Sequence, residues 1–322
     1  MFYYGNNHVL KQLNQSKSAT FQILRGPKGL GKSLIAKTLA KHLLCGLKRK
    51  SCTCSSCKRF NTSNHPDYFY VGLKDDESNL KVEQIIPLIQ ETNSQPLMSS
   101  YKVVIVDDAH RLTPEAQNKL LKTLENSPGY MRFIFVAHER LLSTIESRAV
   151  IHNFFPLLNA DMQKFISQLT EDAHKQEMLF AVADGCPGVA TRINENAEIY
   201  KYFHTITEAV IGNDIKLALS SAGLLKEKDA NNIMTVLDSL IEPFLKGLYT
   251  LFLDMINVKM GDTFSIRYKS KLSQMAKKVK TVSIGQLYEQ LKCIEEAINE
   301  AKYNLLTSER LIVLLNNISN NN

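Results

Sequence analysis

The sequence predicts an α/β domain followed by an all-α region, and three observations carry that reading. A Gly-x-x-x-x-Gly-Lys-Ser loop sits between an apolar run, Phe21 to Leu24, and a helix-like segment, Leu34 to Ala40. Apolar, β-branched runs then alternate with helical patterns as far as residue 155. Beyond Pro156 no strand signal is persuasive. At 322 residues the chain is too long for one ordinary domain. Three parts are expected: an α/β domain over 1–155, short helices over 156–200, and a longer helical part over 201–322.

The loop comes first because the rest of the α/β domain is read around it. Gly26, Pro27, Lys28, Gly29, Leu30, Gly31, Lys32 and Ser33 form the phosphate-loop pattern. Its glycines let backbone N–H groups curl around phosphate oxygens, and the following helix adds positive charge from its N-terminus. Lys32 is expected to reach β/γ-phosphates and Ser33 to ligate Mg²⁺. The helix runs from Lys32 to about Leu44, with Leu34, Ile35, Leu39 and Leu43 on its apolar face. Asp67 to Leu73 reads as an aromatic-rich strand, and Val82 to Asn93 as a helix that Pro87 can kink.

Val103 to Val106 is a continuous β-branched run, as in a strand buried on both faces of a parallel sheet. Thr113 caps the next helix, with Pro114 in its first position. Phe133 to Ala137 is a second buried strand. A helix is expected near Leu141–Ser147 and a last strand at Val150–Phe154. In the all-α part, short helical patterns over 157–200 break at Glu171-Asp172 and at Gly185-Cys186-Pro187-Gly188. An apolar segment from Ile233 to Ile256 and a stretch from Ile284 to Ile318 follow, ending in a frayed Asn-rich tail.

Composition excludes some classes. Hydrophobic residues make up 44% and charged ones 22%, as in a soluble globular protein. No run approaches the roughly 18 apolar residues of a membrane span, and the first residues lack a signal-peptide pattern. A cytoplasmic location with no membrane partner is therefore expected. The net charge of +7 is uneven: Lys41, Lys48, Arg49, Lys50, Lys58 and Arg59 crowd residues 41–59, and seven Lys or Arg face Asp262 alone over 259–280. Such clusters suit a polyanion such as DNA, and they equally suit a solvated surface. Four of six cysteines, Cys45, Cys52, Cys54 and Cys57, are bunched; in a cytosolic chain that reads as a metal site rather than a disulfide framework. Cys186 and Cys293 are isolated and expected to be packed.

Nucleotide chemistry needs a further acidic group for Mg²⁺ and a base to orient water. The strand end Asp107-Asp108-Ala109-His110 supplies both candidates. Asp107 would meet the Mg²⁺ through Ser33 and water. Asp108 is a weak candidate base, one methylene shorter than the usual Glu; the pair can also simply cap the next turn.

The phosphate loop, Asp107-Asp108-Ala109-His110, Asn118 to Glu125 with Pro128, and Ser147-Arg148 together resemble the AAA+ subunits of the bacterial DNA polymerase III clamp loader. His65-Pro66-Asp67-Tyr68, Arg140 to Ile145 and Gly185 to Gly188 resemble its delta-prime members more than the gamma/tau motors. The resemblance implies a RecA-like P-loop domain, a small helical lid and a helical collar that joins subunits. It implies work as a stator beside gamma/tau and delta subunits, loading the sliding clamp onto primed DNA with ATP and Mg²⁺. Arg148 would then be an arginine finger on a neighbour's ATP, or else pair with a carboxylate. The cysteines resemble the family's zinc module, though Cys52 and Cys54 are separated by one residue where two are usual. Three departures matter. Ala149 follows Ser147-Arg148 where motors have Cys, His138 stands at a γ-phosphate-sensing position, and Pro187-Gly188 replaces a lid Arg. Binding without efficient turnover follows from the resemblance; a gamma/tau-like motor is the alternative.

Overall fold

The computed structural model describes residues 4–47, 52–73, 77–212, 240–302 and 308–320. The chain divides into two compact units, residues 1–156 and 157–322. Part of the first basic cluster (Lys48, Arg49 and Lys50) and residues 233–239 of the expected apolar segment lie outside the described residues.

In the first unit, a short helix α1 (Asn7–Gln15) precedes β1 (Phe21–Arg25), the loop and α2 (Lys32–Leu44). Then come α3 (Ser55–Asn61), β2 (Tyr68–Val71), α4 (Val82–Glu91), β3 (Lys102–Val106), α5 (Pro114–Glu125), β4 (Met131–Ala137), α6 (Ser143–Glu146) and β5 (Val150–Asn153). The five strands form one sheet in the order β2-β3-β4-β1-β5, and every pairing is parallel. Parallel neighbours need crossover helices, which cover the faces of the sheet and leave its interior strands mostly apolar. All five residues of β3 and all seven of β4 are buried. Phe21 meets Phe135 edge-on at 4.7 Å where β1 pairs β4.

The topology also fixes where ligands belong. From β1, next to one edge, the chain jumps to the opposite edge at β2, walks back through β3 and β4, then crosses β1 to reach β5. Carboxyl ends of strands beside such a reversal form the binding crevice of open α/β sheets. The phosphate loop, Asp107 and His138 all leave strands at that end.

Local signals account for the helices that flank it. The Thr113 hydroxyl accepts from the Ala116 N–H, closing the cap expected from Thr-Pro. The helix over 82–91 continues through Pro87. Two helices, α1 and α3, have no counterpart in the sequence reading, being short and largely polar.

The second unit is helical: α7 (Asn159–Leu169), α8 (Ala173–Ala183), α9 (Pro187–Glu195), α10 (Ala197–Gly212), α11 (Ile241–Met260), α12 (Leu272–Lys278), α13 (Ile284–Lys302) and α14 (Ser308–Asn320). Helix α10 runs through residue 200. Phe244, Leu245, Leu248, Leu251, Phe252 and Met255 bury the apolar face of α11. Helices α8 and α11 approach so closely that a Cβ on Gly247 would stand 2.6 Å from a Val182 methyl. Cys186 is buried as expected, but Cys293 is exposed. Helix α13 carries it on a solvent-facing position, so the packed reading fails there. Among the described residues no helix is long and apolar enough to cross a membrane.

Candidate functional site

The loop's backbone is built for an anion. Gly26 has φ +151°, and a Cβ there would stand 2.3 Å from the Phe154 carbonyl oxygen, so only glycine fits between β1 and the end of β5. Gly31 caps α2 at φ +76°, turning the chain so that the helix N-terminus opens onto the loop. Lys32 is 3% exposed, and its Nζ donates to the carbonyls of Gly26 and Pro27, both at 2.7 Å. A phosphate oxygen arriving in the loop would compete with those carbonyls for the ammonium protons.

Ser33 and Asp107 meet as the sequence predicts: the Ser33 hydroxyl donates to Asp107 Oδ1 at 3.0 Å. That hydroxyl–carboxylate pair is the donor set an Mg²⁺ of a bound nucleotide would use, directly or through water. A partner that sequence reading missed is Tyr70, whose hydroxyl donates to Asp107 Oδ2 at 3.0 Å. Strand β2 brings it there because β2 pairs β3 in parallel, with Val71 opposite Val106.

Asp108 turns into the left-handed region at φ +50° and is tied elsewhere. Its Oδ1 lies 2.9 Å from His138 Nε2. The His138 hydrogen bond, with further help from His110 and Lys28, holds the Asp108 carboxyl below the usual range against the opposing effect of burial. On its other side, His138 Nδ1 accepts from the Lys32 ammonium at 3.1 Å. Because an ammonium can only donate, the ring proton belongs on Nε2, pointing at Asp108. The His110 ring meets His138 edge-on at 4.9 Å, and burial above all pushes its pKa down to about 4. The candidate base and the sensing position are thus hydrogen-bonded to each other. Sequence marked both residues but not their contact, which joins the ends of β3 and β4.

The four clustered cysteines also converge. Cys45 ends α2, Cys54 caps α3 by accepting from the Cys57 N–H at 3.5 Å, and all four sulfurs lie within 4.8 Å of one another. Tetrahedral Zn–S bonds of about 2.3 Å place sulfurs roughly 3.8 Å apart, so this thiol set fits a zinc ion with small adjustment despite the one-residue gap. Burial, followed by the neighbouring Cys45, pushes the Cys57 thiol up to about 12, while the Cys57 N–H pulls Cys54 down. A bound metal would have to displace the Cys57 proton.

His65 and Asp67 fasten this module to the sheet. The His65 ring lies 2.9 Å from the Ser56 hydroxyl and accepts the Asp67 N–H at 3.0 Å. Fully buried Asp67 accepts three backbone N–H groups, from Leu97, Met98 and Ser99, at 2.7–2.8 Å. The hydroxyls of Ser56 and Ser99 both donate to the Leu44 carbonyl at the end of α2.

Residues 6–157 match a family model described as DNA polymerase III, delta subunit. The chain is 30% identical over 187 residues to the delta-prime subunit of DNA polymerase III from Pseudomonas aeruginosa, covering 56% of this chain and 57% of that one. The corresponding Escherichia coli subunit is 31% identical over 176 residues, 52% of each chain. Over its first unit the chain is similar to clamp-loader delta-prime subunits. It spans little more than half the length of those two relatives. The DNA polymerase III gamma subunit of Buchnera aphidicola is 26% identical over 86% of this chain and 71% of its own. Among solved structures, a gamma-subunit-related protein of Thermotoga maritima aligns over 97% of both chains at 14% identity and a TM-score of 0.46, too loose a likeness to argue from.

Two of the sequence segments on which the resemblance rests, Asn118 to Glu125 and Ser147-Arg148, meet in space. Arg148 pairs through Nη2 with Glu125, the last residue of α5, and donates to the Thr144 carbonyl at 2.7 Å. Its side chain is 39% exposed, so the guanidinium stands at the surface rather than in this chain's own phosphate loop. Pro187-Gly188 opens helix α9 in the second unit.

The basic stretch over 259–280 is spent largely on internal contacts. Lys259 donates to the carbonyls of Val279 and Val282, and Lys278 to the Val210 carbonyl at 2.7 Å. Lys271 pairs with Glu208, and Arg267 with Asp184. Four of the seven cations thus hold helix ends together, which neither the DNA nor the solvent reading anticipates.

Proposed function

We propose that this protein is the stator, or delta-prime, subunit of a DNA polymerase III clamp loader, helping to place the sliding clamp on primed DNA. The observation that carries this reading is the split state of the nucleotide site. The binding groups, Lys32 with the loop and Ser33 with Asp107, are in place. The catalytic position, Asp108, is hydrogen-bonded to His138 instead of being open to a water. ATP and Mg²⁺ are then held with little turnover, and Arg148 serves the ATP of a gamma/tau neighbour after leaving Glu125. Residues 156–200 act as the lid and 201–322 as the collar that binds gamma/tau and delta subunits. Cys45, Cys52, Cys54 and Cys57 hold one structural zinc.

The isolated chain is expected to hydrolyse ATP negligibly, with or without clamp and primed DNA. In a reconstituted loader, Arg148→Ala should leave assembly intact and cut ATPase about 10³-fold; unchanged ATPase refutes the finger. Metal analysis should return one zinc per chain, reduced in Cys54→Ser. The intact Lys32, Ser33 and Asp107, with an alignment to a gamma subunit over 86% of the chain, favour a second reading as an ATPase motor. Turnover of several per minute by the pure chain would select it.

A further inference from the structure

We propose that Asp108, His110 and His138 form a second cation site, for a first-row transition metal such as Zn²⁺, Co²⁺ or Ni²⁺. It is separate from the cysteine cluster and from the Ser33–Asp107 pair. One oxygen of Asp108 and one nitrogen of each imidazole lie within 4.8 Å of one another, and all three residues are half-buried. The turn at Asp108 and the 3₁₀ turn Ala109–Arg111 bring 108 and 110 together, while the end of β4 supplies His138. Two imidazoles and a carboxylate suit borderline-soft divalent ions better than Mg²⁺, which prefers oxygen alone. Three protein ligands leave a position open for water or another oxygen.

The ring of His138 gives the site a second property. Lys32 occupies Nδ1, so the ring proton is on Nε2, between His138 and Asp108. A metal takes the Nε2 lone pair, and the ring proton moves to Nδ1. An acceptor for it already stands there, the Gly26 carbonyl oxygen at 3.4 Å. A metal-bound imidazole whose other nitrogen donates to a backbone carbonyl is the arrangement that fixes such rings. Lys32 cannot donate to a protonated Nδ1, so that contact is lost while its bonds to the Gly26 and Pro27 carbonyls can stay. Occupation of the triad and the Lys32–His138 contact therefore exclude each other. The metal site is coupled to the phosphate-loop lysine, because a cation in the triad removes one of that lysine's acceptors.

The experiment titrates Co²⁺ alone, without nucleotide, into the full chain after its cysteines are saturated with Zn²⁺. One additional Co²⁺ per chain is expected, with visible ligand-field absorption and no thiolate charge-transfer band. His110→Ala and the near-isosteric Asp108→Asn should each weaken it about tenfold or more, and Lys32→Ala, which empties Nδ1, should tighten it. Far-UV circular dichroism and melting of each variant separate lost ligation from lost folding; Asp108→Asn carries the test if His110→Ala unfolds. Absence of a Co²⁺ beyond the cysteine cluster, or affinity indifferent to both ligand variants, overturns the site. Unchanged affinity in Lys32→Ala overturns the coupling.

Discussion

Lys32 in the first unit and Lys278 in the second are both nearly closed off from solvent, at 3% and 9% exposed, with their ammonium groups on backbone carbonyls. Their surroundings differ. Lys32 faces a loop with glycines in the left-handed region, the mouth of a helix N-terminus and a nearby hydroxyl–carboxylate pair. Lys278 faces the Val210 carbonyl, one of the last in α10, where the helix leaves acceptors without internal partners. The first lysine sits among groups that welcome an anion, the second among groups that satisfy a cation. Positive charge in the sequence does not separate these cases; the backbone around it does.

The contrast can be broken most sharply at the loop. Lys32→Ala is expected to weaken ATP binding about 100-fold, or roughly 3 kcal/mol, whereas Lys278→Met should leave it unchanged, both by titration with a fluorescent ATP analogue. ATP binding that survives Lys32→Ala would reduce the loop to a turn.

The next effect is a pH dependence at Lys278. Burial pulls its pKa from 10.5 down to about 8. Between those values Lys278 binds more protons in the unfolded chain than in the folded one, so its own contribution to stability rises with pH from about 8 to 10.5. Below that window the residue contributes no slope. By urea unfolding, the stability difference between the natural chain and Lys278→Met should change by about 2 kcal/mol across that window, in favour of the natural chain as pH rises.

The smallest effect is expected at Arg267 and Asp184, 35% and 52% exposed. A double-mutant cycle with Arg267→Ala and Asp184→Ala should give a coupling of about 0.5 kcal/mol. A much larger value would mean that this stretch is held by its ion pairs rather than by lysines on carbonyls.

What was legible follows from the range of each signal. Gly26 to Ser33, the β-branched run before Asp107 and the bunching of the four cysteines are each marked within a few residues, and the loop, the buried strand and the converged thiols follow. Strand order, and hence the contacts of Tyr70 with Asp107 and of His138 with Asp108, depends on which strands become neighbours. No short pattern encodes that. The burial of Lys278 was hidden because a lysine on an amphipathic helix carries no local mark of what covers it. Helix α1 was missed because only Val9 and Leu13 are buried in it, too few for a clear period.

Strand β2 is four residues long, about 13 Å, and carries a task at each end. Just before it, His65 and Asp67 clamp the cysteine module and the loop that enters β3; at its third residue, Tyr70 steadies Asp107. The strand is therefore a tie rod between two kinds of chemistry. Any disturbance that shifts the anchorage of the cysteines, such as their oxidation, pulls on the same short rod that keeps the Asp107 carboxylate aimed at Ser33.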